Sequence, residues 1–106
     1  METNDFETVA TADDIPVGQG KVYKVNGREI AIFNVDGSFY AVNNVCPHRG
    51  GPIGEGRLEQ SIVTCPWHDW SFDVCSGNST YNPKVCLERF AVRVIDGKIQ
   101  VSTSRL

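Results

Sequence analysis

Two short motifs, each pairing a cysteine with a histidine, hold the residues of this sequence best suited to chemistry. One residue separates Cys46 from His48, two separate Cys65 from His68, and sixteen lie between the pairs. The chain has two histidines, and both fall in these motifs. Two thiolates and two imidazoles can ligate a [2Fe–2S] cluster, with the cysteines on one iron and the histidines on the other. A small protein with such a cluster is most simply an electron carrier.

The spacing within each motif is short enough for one tight loop to supply both ligands. Pro47 and Pro66 follow the cysteines and restrict these loops. Four nearby glycines let the backbone approach a bound group closely: Gly50, Gly51, Gly54 and Gly56. Two alternatives remain open at this point. The four side chains can bind a structural zinc ion, or they can be unliganded residues of a core.

The elements that must position these loops are predicted to be β-strands. Three residue pairs favour type I′ hairpin turns: Asn26-Gly27, Asp36-Gly37 and Asp96-Gly97. Runs rich in β-branched and aromatic residues flank them, at 21–25, 29–33, 39–42, 90–95 and 98–101. Short strands are expected at 61–64 and 70–74, and helix is limited to a turn or two at 11–15.

The predicted fold is therefore all-β and forms one domain over residues 1–106. An antiparallel sandwich or barrel base comprises residues of about 1–44 and 84–106. An inserted, loop-rich lobe of about 45–83 contains both cysteine–histidine motifs, and we expect it to bind the cluster.

Composition narrows the classes of partner. The formal net charge is −3, from 13 acidic and 10 basic residues. The sequence has no basic stripe, so we do not expect nucleic acid as a partner. No apolar run approaches the roughly 20 residues that span a bilayer, so no membrane association is expected. The N-terminal residues lack the basic and apolar regions of a signal peptide. We therefore expect a cytoplasmic protein, in which the motif cysteines bind metal rather than form disulfides.

The segment CPHRGGPIGEGRLEQSIVTCPWHDWSFD resembles the Rieske [2Fe–2S] family in its Cys-x-His and Cys-x-x-His pattern, its prolines and its glycines. The resemblance implies one [2Fe–2S] cluster in a Rieske-like fold. It also implies that Cys46 and Cys65 ligate the buried iron, while His48 and His68 ligate the outer iron. Pro83 would belong to a third loop that covers the cluster.

Four positions indicate which Rieske class is concerned. High-potential respiratory members join their two ligand loops by a disulfide, and the corresponding positions here are Gly51 and Trp67. Those members also direct Ser and Tyr hydroxyls at the sulfur atoms, where this chain has Trp70 and Phe72. With fewer hydrogen bonds to sulfur, we expect a midpoint potential of about −150 mV, the bottom of the Rieske range of roughly −150 to +300 mV. In these features the chain resembles the soluble ferredoxins of ring-hydroxylating oxygenases.

Asp69, Trp67, Cys75 and Cys86 each have a functional and a structural interpretation. Asp69 replaces the glycine usual in the family; it either lowers the potential or contacts a basic partner, or it is a solvated loop residue, which we favour. Trp67 is either an exposed docking residue or a wall that shields the cluster. Cys75 and Cys86 either form a disulfide or are two buried free thiols, and we favour the thiols.

The resemblance implies an electron carrier that is not catalytic alone. The oligomeric state is open, and a monomer is the default for a carrier that must dock and leave. A flavin-dependent, NAD(P)H-oxidising ferredoxin reductase would reduce it. Its electrons would pass to a terminal Rieske non-haem iron oxygenase. This oxygenase would belong to an aromatic ring dioxygenase system of aromatic hydrocarbon catabolism. With both histidines used by the cluster, none remains for a 2-His-1-carboxylate iron site. Two alternatives are the small Rieske subunit of an assimilatory nitrite reductase and a zinc-binding structural module.

Overall fold

The computed structural model describes residues 6–47, 50–67, 70–82 and 84–105. These residues form nine β-strands and two short 3-10 turns, which confirms the all-β prediction. The strands are β1 (Phe6–Thr11), β2 (Gly20–Val25), β3 (Arg28–Val35), β4 (Ser38–Asn43), β5 (Arg57–Glu59), β6 (Ile62–Thr64), β7 (Ser71–Asp73), β8 (Arg89–Ile95) and β9 (Lys98–Arg105). The 3-10 turns are Ala12–Asp14 and Ile53–Glu55. No helix among the described residues is long and apolar enough to cross a membrane.

Six strands form one antiparallel sheet in the order β1-β9-β8-β4-β3-β2, which curls into a nearly closed barrel. Its three tight hairpins are those predicted from the sequence. Both residues of each turn have positive φ, as a type I′ turn requires: Asn26-Gly27 (51° and 80°), Asp36-Gly37 (53° and 93°) and Asp96-Gly97 (53° and 76°). These turns set the register of β2 with β3, β3 with β4, and β8 with β9.

A smaller antiparallel sheet, in the order β5-β6-β7, lies between β4 and β8 in the sequence. The large sheet draws on residues 6–43 and 89–105, and the small sheet on 57–73. The division into a base and a cluster-binding lobe at about residues 44 and 84 stays a prediction, which this separation of the sheets supports.

Strand β3 connects the two hydrophobic cores of the protein. Because side chains alternate across a strand, Ile30 and Ile32 enter a core of the large sheet, while Ala31 and Phe33 enter a second core. That second core also contains residues of the small sheet and both motif cysteines: Cys46, Cys65, Val63, Phe72 and Val74. The barrel therefore supports the cysteine loops directly through β3.

Two strands, β1 and β5, were not predicted. β1 pairs with β9 across a β-bulge between Thr8 and Ala10, so its alternation is interrupted. β5 is three residues long and joins β6 through a turn in which Gln60 has a φ of 57°. A positive φ at glutamine has no sequence signal comparable to an Asn-Gly pair.

Candidate metal centre

The first ligand loop follows β4 and is closed by its own backbone. The amide of Cys46 donates to the carbonyl of Gly51 (2.9 Å), and the amide of Gly50 donates to the carbonyl of Cys46 (2.8 Å). Gly50 has a φ of 78°, a conformation that side-chain-bearing residues rarely adopt. An isolated β-bridge between Val45 and Pro52 closes the base of the loop. The side chain of Cys46 is thus presented from a narrow, backbone-locked turn.

The second ligand loop connects β6 to β7. The amide of Cys65 donates to the carbonyl of Trp70 (2.6 Å), which closes the loop. The amide of Trp67 donates to the sulfur of Cys65, with 3.4 Å between N and Sγ. A backbone N–H directed at a sulfur atom favours negative charge on it, as a metal-bound thiolate requires.

The two loops touch at Gly51. A Cβ atom placed on Gly51 would lie 2.7 Å from Cys65 Sγ and 3.1 Å from Trp67 Cβ. Positions 51 and 67 are therefore neighbours, at the two positions matched in sequence to the inter-loop disulfide of respiratory members. With glycine and tryptophan there, that bridge cannot form.

The two cysteines fit the family's cluster in burial and in chemistry. Cys46 is 2% exposed and Cys65 is 0% exposed, both lie in the second core, and neither is in a disulfide. Two thiols on touching loops within an apolar core are suitable soft ligands for iron, and equally for zinc.

The other half of the predicted ligand set cannot be compared with the structure. His48 and His68 lie outside the described residues, as do Asp69 and Pro83. The part of the chain that is described contains no group of three or more His, Cys, Asp or Glu side chains arranged for a metal ion. The assignment of all four ligands, and the role of Asp69, stay predictions.

The segment after β7 folds back onto the first residue of β7 through contacts that the sequence did not predict. The hydroxyls of Ser71 and Thr80 lie 2.5 Å apart, and the amide of Thr80 donates to the carbonyl of Ser71 (3.0 Å). Further along the chain, the amide of Val85 donates a hydrogen bond to the carbonyl of Asn82 (3.0 Å). The resemblance places Pro83 in the loop that covers the cluster, and this stays a prediction.

Apolar side chains are exposed beside both cysteines. Val45 is 47% exposed and Trp67 is 50% exposed, although each is next or nearly next to a buried cysteine. Trp67 also packs against Gly51. One part of its side chain thus lies against the first ligand loop and the other faces solvent. The roles of docking residue and of cluster wall both stay predictions.

Cys75 and Cys86 are free thiols, as favoured from the sequence, but they are not buried. Cys75 is partly exposed and Cys86 is exposed. Cys86 forms a β-bridge with Asn78, and its neighbour Leu87 is buried, so alternation turns the Cys86 thiol outward. A hydrogen bond between Tyr40 and Cys75 raises the pKa of Tyr40. Cys75 thus has a protein partner away from the ligand loops.

An all-β barrel with two buried thiols on touching loops offers half of the ligand set that a metal ion or cluster needs. The chain belongs to the Rieske [2Fe-2S] domain family, whose model matches residues 5–91. It accordingly has one Rieske-type [2Fe–2S] cluster as its cofactor.

Two relatives show where in the family the chain lies. It is 41% identical over 81 residues to the ferredoxin component of the naphthalene 1,2-dioxygenase/salicylate 5-hydroxylase systems of Ralstonia sp, covering 76% of this chain and 78% of the relative. It is 32% identical over 108 residues to the ferredoxin component of the alkene monooxygenase system of Xanthobacter autotrophicus, covering 99% and 88%.

Solved structures resemble the chain over nearly its full length. The ferredoxin of carbazole 1,9a-dioxygenase from Nocardioides aromaticivorans IC177 has a TM-score of 0.87 at 27% identity and covers 93% of this chain and 98% of its own. A putative NADH-dependent nitrite reductase small subunit from Mycobacterium tuberculosis has a TM-score of 0.88 at 26% identity and covers 99% and 100%.

Proposed function

We propose that this protein is a one-electron carrier that transfers electrons from an NAD(P)H-dependent flavin reductase to a terminal Rieske non-haem iron oxygenase. The observation that carries this proposal is the match to the Rieske family together with similarity, over most of the chain, to proteins named as ferredoxin components. When bound, the [2Fe–2S] cluster supplies a centre that accepts and donates single electrons. The protein is not catalytic alone.

Within this proposal, Cys46 and Cys65 would bind one iron, and His48 and His68 the other. The apolar core around the two cysteines keeps water from the sulfur atoms. The amide of Trp67 stabilises negative charge on Cys65 Sγ. Neutral imidazoles in place of two thiolates make the addition of an electron easier than in an all-cysteine ferredoxin.

The partners are proposed from what similar proteins do. A chain with a TM-score of 0.88 and 27% identity belongs to a complex of reduced oxygenase and oxidized ferredoxin in carbazole 1,9a-dioxygenase. The exposed Val45 and Trp67 beside the ligand loops suit a face that meets such a partner. We further propose that the carrier is a monomer, because it must dock with the reductase and with the oxygenase in turn. We also propose that it works in the cytoplasm.

A second candidate is supported by the similarity to the nitrite reductase small subunit. In that role the chain would remain bound to a large sirohaem subunit rather than move between partners. Purification from its native host distinguishes the two. Stable co-purification with a sirohaem protein would favour the subunit, and isolation as a separate brown protein would favour the carrier.

The proposed function predicts a Rieske electron paramagnetic resonance signal on reduction and a midpoint potential of about −150 mV. The physical reason is that Trp70 and Phe72 offer no hydroxyl to the sulfur atoms. An anaerobic redox titration measures the potential, and turnover with a purified reductase and aromatic-ring oxygenase measures transfer. A midpoint well above zero would contradict the tuning argument. A colourless protein that contains zinc would contradict the carrier itself.

A further inference from the structure

Asn44 is a buried polar residue that lies two positions before Cys46. It is 4% exposed. Its backbone amide donates to the carbonyl of Glu29 (2.9 Å), and its own carbonyl accepts from the amide of Ile53 (2.8 Å). Asn44 therefore joins β3 to the far end of the first ligand loop through its backbone.

The side chain of Asn44 makes the same connection a second time. Its Nδ2 donates to Glu29 Oε1 (3.1 Å), and its Oδ1 accepts from the amide of Gly54 (2.6 Å). A Cβ at position 54 would lie 3.0 Å from Asn44 Oδ1 and 2.3 Å from Val22 Cγ2, so the glycine leaves the space in which this short bond forms. A carboxamide has both the donor and the acceptor that this bridge needs.

We propose that Asn44 is a positioning residue for Cys46, and that its bridge from Glu29 to Gly54 sets how long the protein retains its cluster. The bridge holds both ends of the loop, so the Cys46 sulfur stays where a metal can bind it. Groups that orient a metal ligand without touching the metal commonly change metal affinity by about 10- to 100-fold. This inference rests on the proposed function in so far as Cys46 is a ligand.

The chain contains a matched control. Asn34, in β3, is a second buried asparagine that makes one donor and one acceptor bond, from Nδ2 to the Ile15 carbonyl (2.8 Å) and from the Gly37 amide to Oδ1 (2.8 Å). Neither Ile15 nor Gly37 belongs to a ligand loop. A loss of buried hydrogen bonds alone should therefore affect both sites alike, whereas a positioning role affects Asn44 only.

The test compares Asn44→Asp, Glu29→Gln, the double variant and Asn34→Asp as holoproteins. Asn44→Asp keeps the acceptor for Gly54 but directs a carboxylate oxygen at the Glu29 carboxylate. Glu29→Gln keeps an acceptor for Asn44 at an exposed position. In the double variant, the carboxamide introduced at position 29 donates to the carboxylate introduced at position 44, which restores the bond with its polarity reversed.

Two quantities are measured. The rate of iron release to a chelator is monitored by the loss of visible absorbance. The g values are taken from the electron paramagnetic resonance spectrum. We expect Asn44→Asp to release iron about tenfold faster than the wild type. Glu29→Gln and the double variant should stay within about twofold of it, with wild-type g values, since each keeps a bond between residues 29 and 44. Asn34→Asp should release iron at the wild-type rate despite a lower free energy of unfolding.

Three results would overturn the proposal: wild-type release from Asn44→Asp, no rescue in the double variant, or equally fast release from Asn34→Asp. If Asn44→Asp cannot be isolated with its cluster, Glu29→Leu removes the side-chain acceptor from the surface, and wild-type release from that variant counts against the bridge. These readouts need no electron-transfer partner. A wild-type protein that holds its cluster but reduces no oxygenase would therefore contradict the proposed function and leave this inference intact.

Discussion

Cys46→Ala and Cys65→Ala are each expected to abolish the iron–sulfur cluster while leaving a folded apo-protein. Each substitution removes one of two thiolates assigned to the same iron, and the sequence of the two loops contains no third cysteine to replace it. The loss of bound iron should exceed the about 10- to 100-fold effect typical of groups that only orient a ligand. Iron and acid-labile sulfide per chain, with the visible spectrum, measure the outcome.

The fold should tolerate these two changes because a cysteine in an apolar core behaves as a small hydrophobic residue. Replacing it with alanine removes one sulfur atom, a smaller change than the larger truncations that cost about 2–5 kcal/mol. Circular dichroism of both variants should therefore retain the β spectrum of the apo-protein. A loss of iron without a loss of fold separates a ligand from a residue that merely fills the core.

Cys75→Ala and Cys86→Ala are the matched controls, since both thiols are free and neither belongs to the core that contains the ligand cysteines. Both variants should retain the full iron content of the wild type. Retention of stoichiometric iron by Cys46→Ala or Cys65→Ala would contradict the ligand assignment. Loss of iron from Cys86→Ala would mean that an exposed thiol takes part in cluster binding.

Much of this fold can be predicted from the sequence, because the patterns that specify it are only a few residues long. The pairs Asn26-Gly27, Asp36-Gly37 and Asp96-Gly97 specify their own backbone conformation, and each has the predicted positive φ values. The cysteine motif is equally local, since each loop carries its own ligands. β1 was missed because a β-bulge interrupts its alternation. β5 was missed because the turn that joins it to β6 uses Gln60 with a positive φ.

The contacts that position the site are not local and were not predictable. Asn44 reaches back 15 residues to Glu29 and forward 10 to Gly54, and Ser71 meets Thr80 nine residues away. Asparagine and serine occur throughout the chain, so nothing in their identity marks these copies as structural. The burial of Cys86 was predicted wrongly for a related reason: the average burial of cysteine is overridden by the alternation that turns this thiol outward.

Gly51→Ala is expected to impair cluster binding almost as strongly as the loss of a ligand. The added Cβ would lie 2.7 Å from Cys65 Sγ, closer than real Cβ contacts come, and 3.0 Å from Trp67 Cγ. The sulfur cannot easily yield, because it accepts a bond from the Trp67 amide (3.4 Å) and Cys65 is fully buried. We expect iron content to fall by about tenfold or more, as measured on the purified holoprotein.

Gly20→Ala provides a control of similar steric severity whose collision reaches the ligand cysteines only through Phe33, a member of their core. Its Cβ would lie 2.4 Å from the ring of Phe33 and meets no cysteine. Both variants should lose about 1–3 kcal/mol of unfolding free energy through overpacking, but Gly20→Ala should retain its iron. Trp67→Ala, combined with Gly51→Ala, then identifies the atom that matters. If the double variant regains iron, the collision is with the indole. If it does not, although Trp67→Ala alone keeps its iron, the collision is with the atoms that remain, the Cys65 sulfur at 2.7 Å and the Cβ of residue 67 at 3.1 Å, and cluster binding requires glycine at position 51.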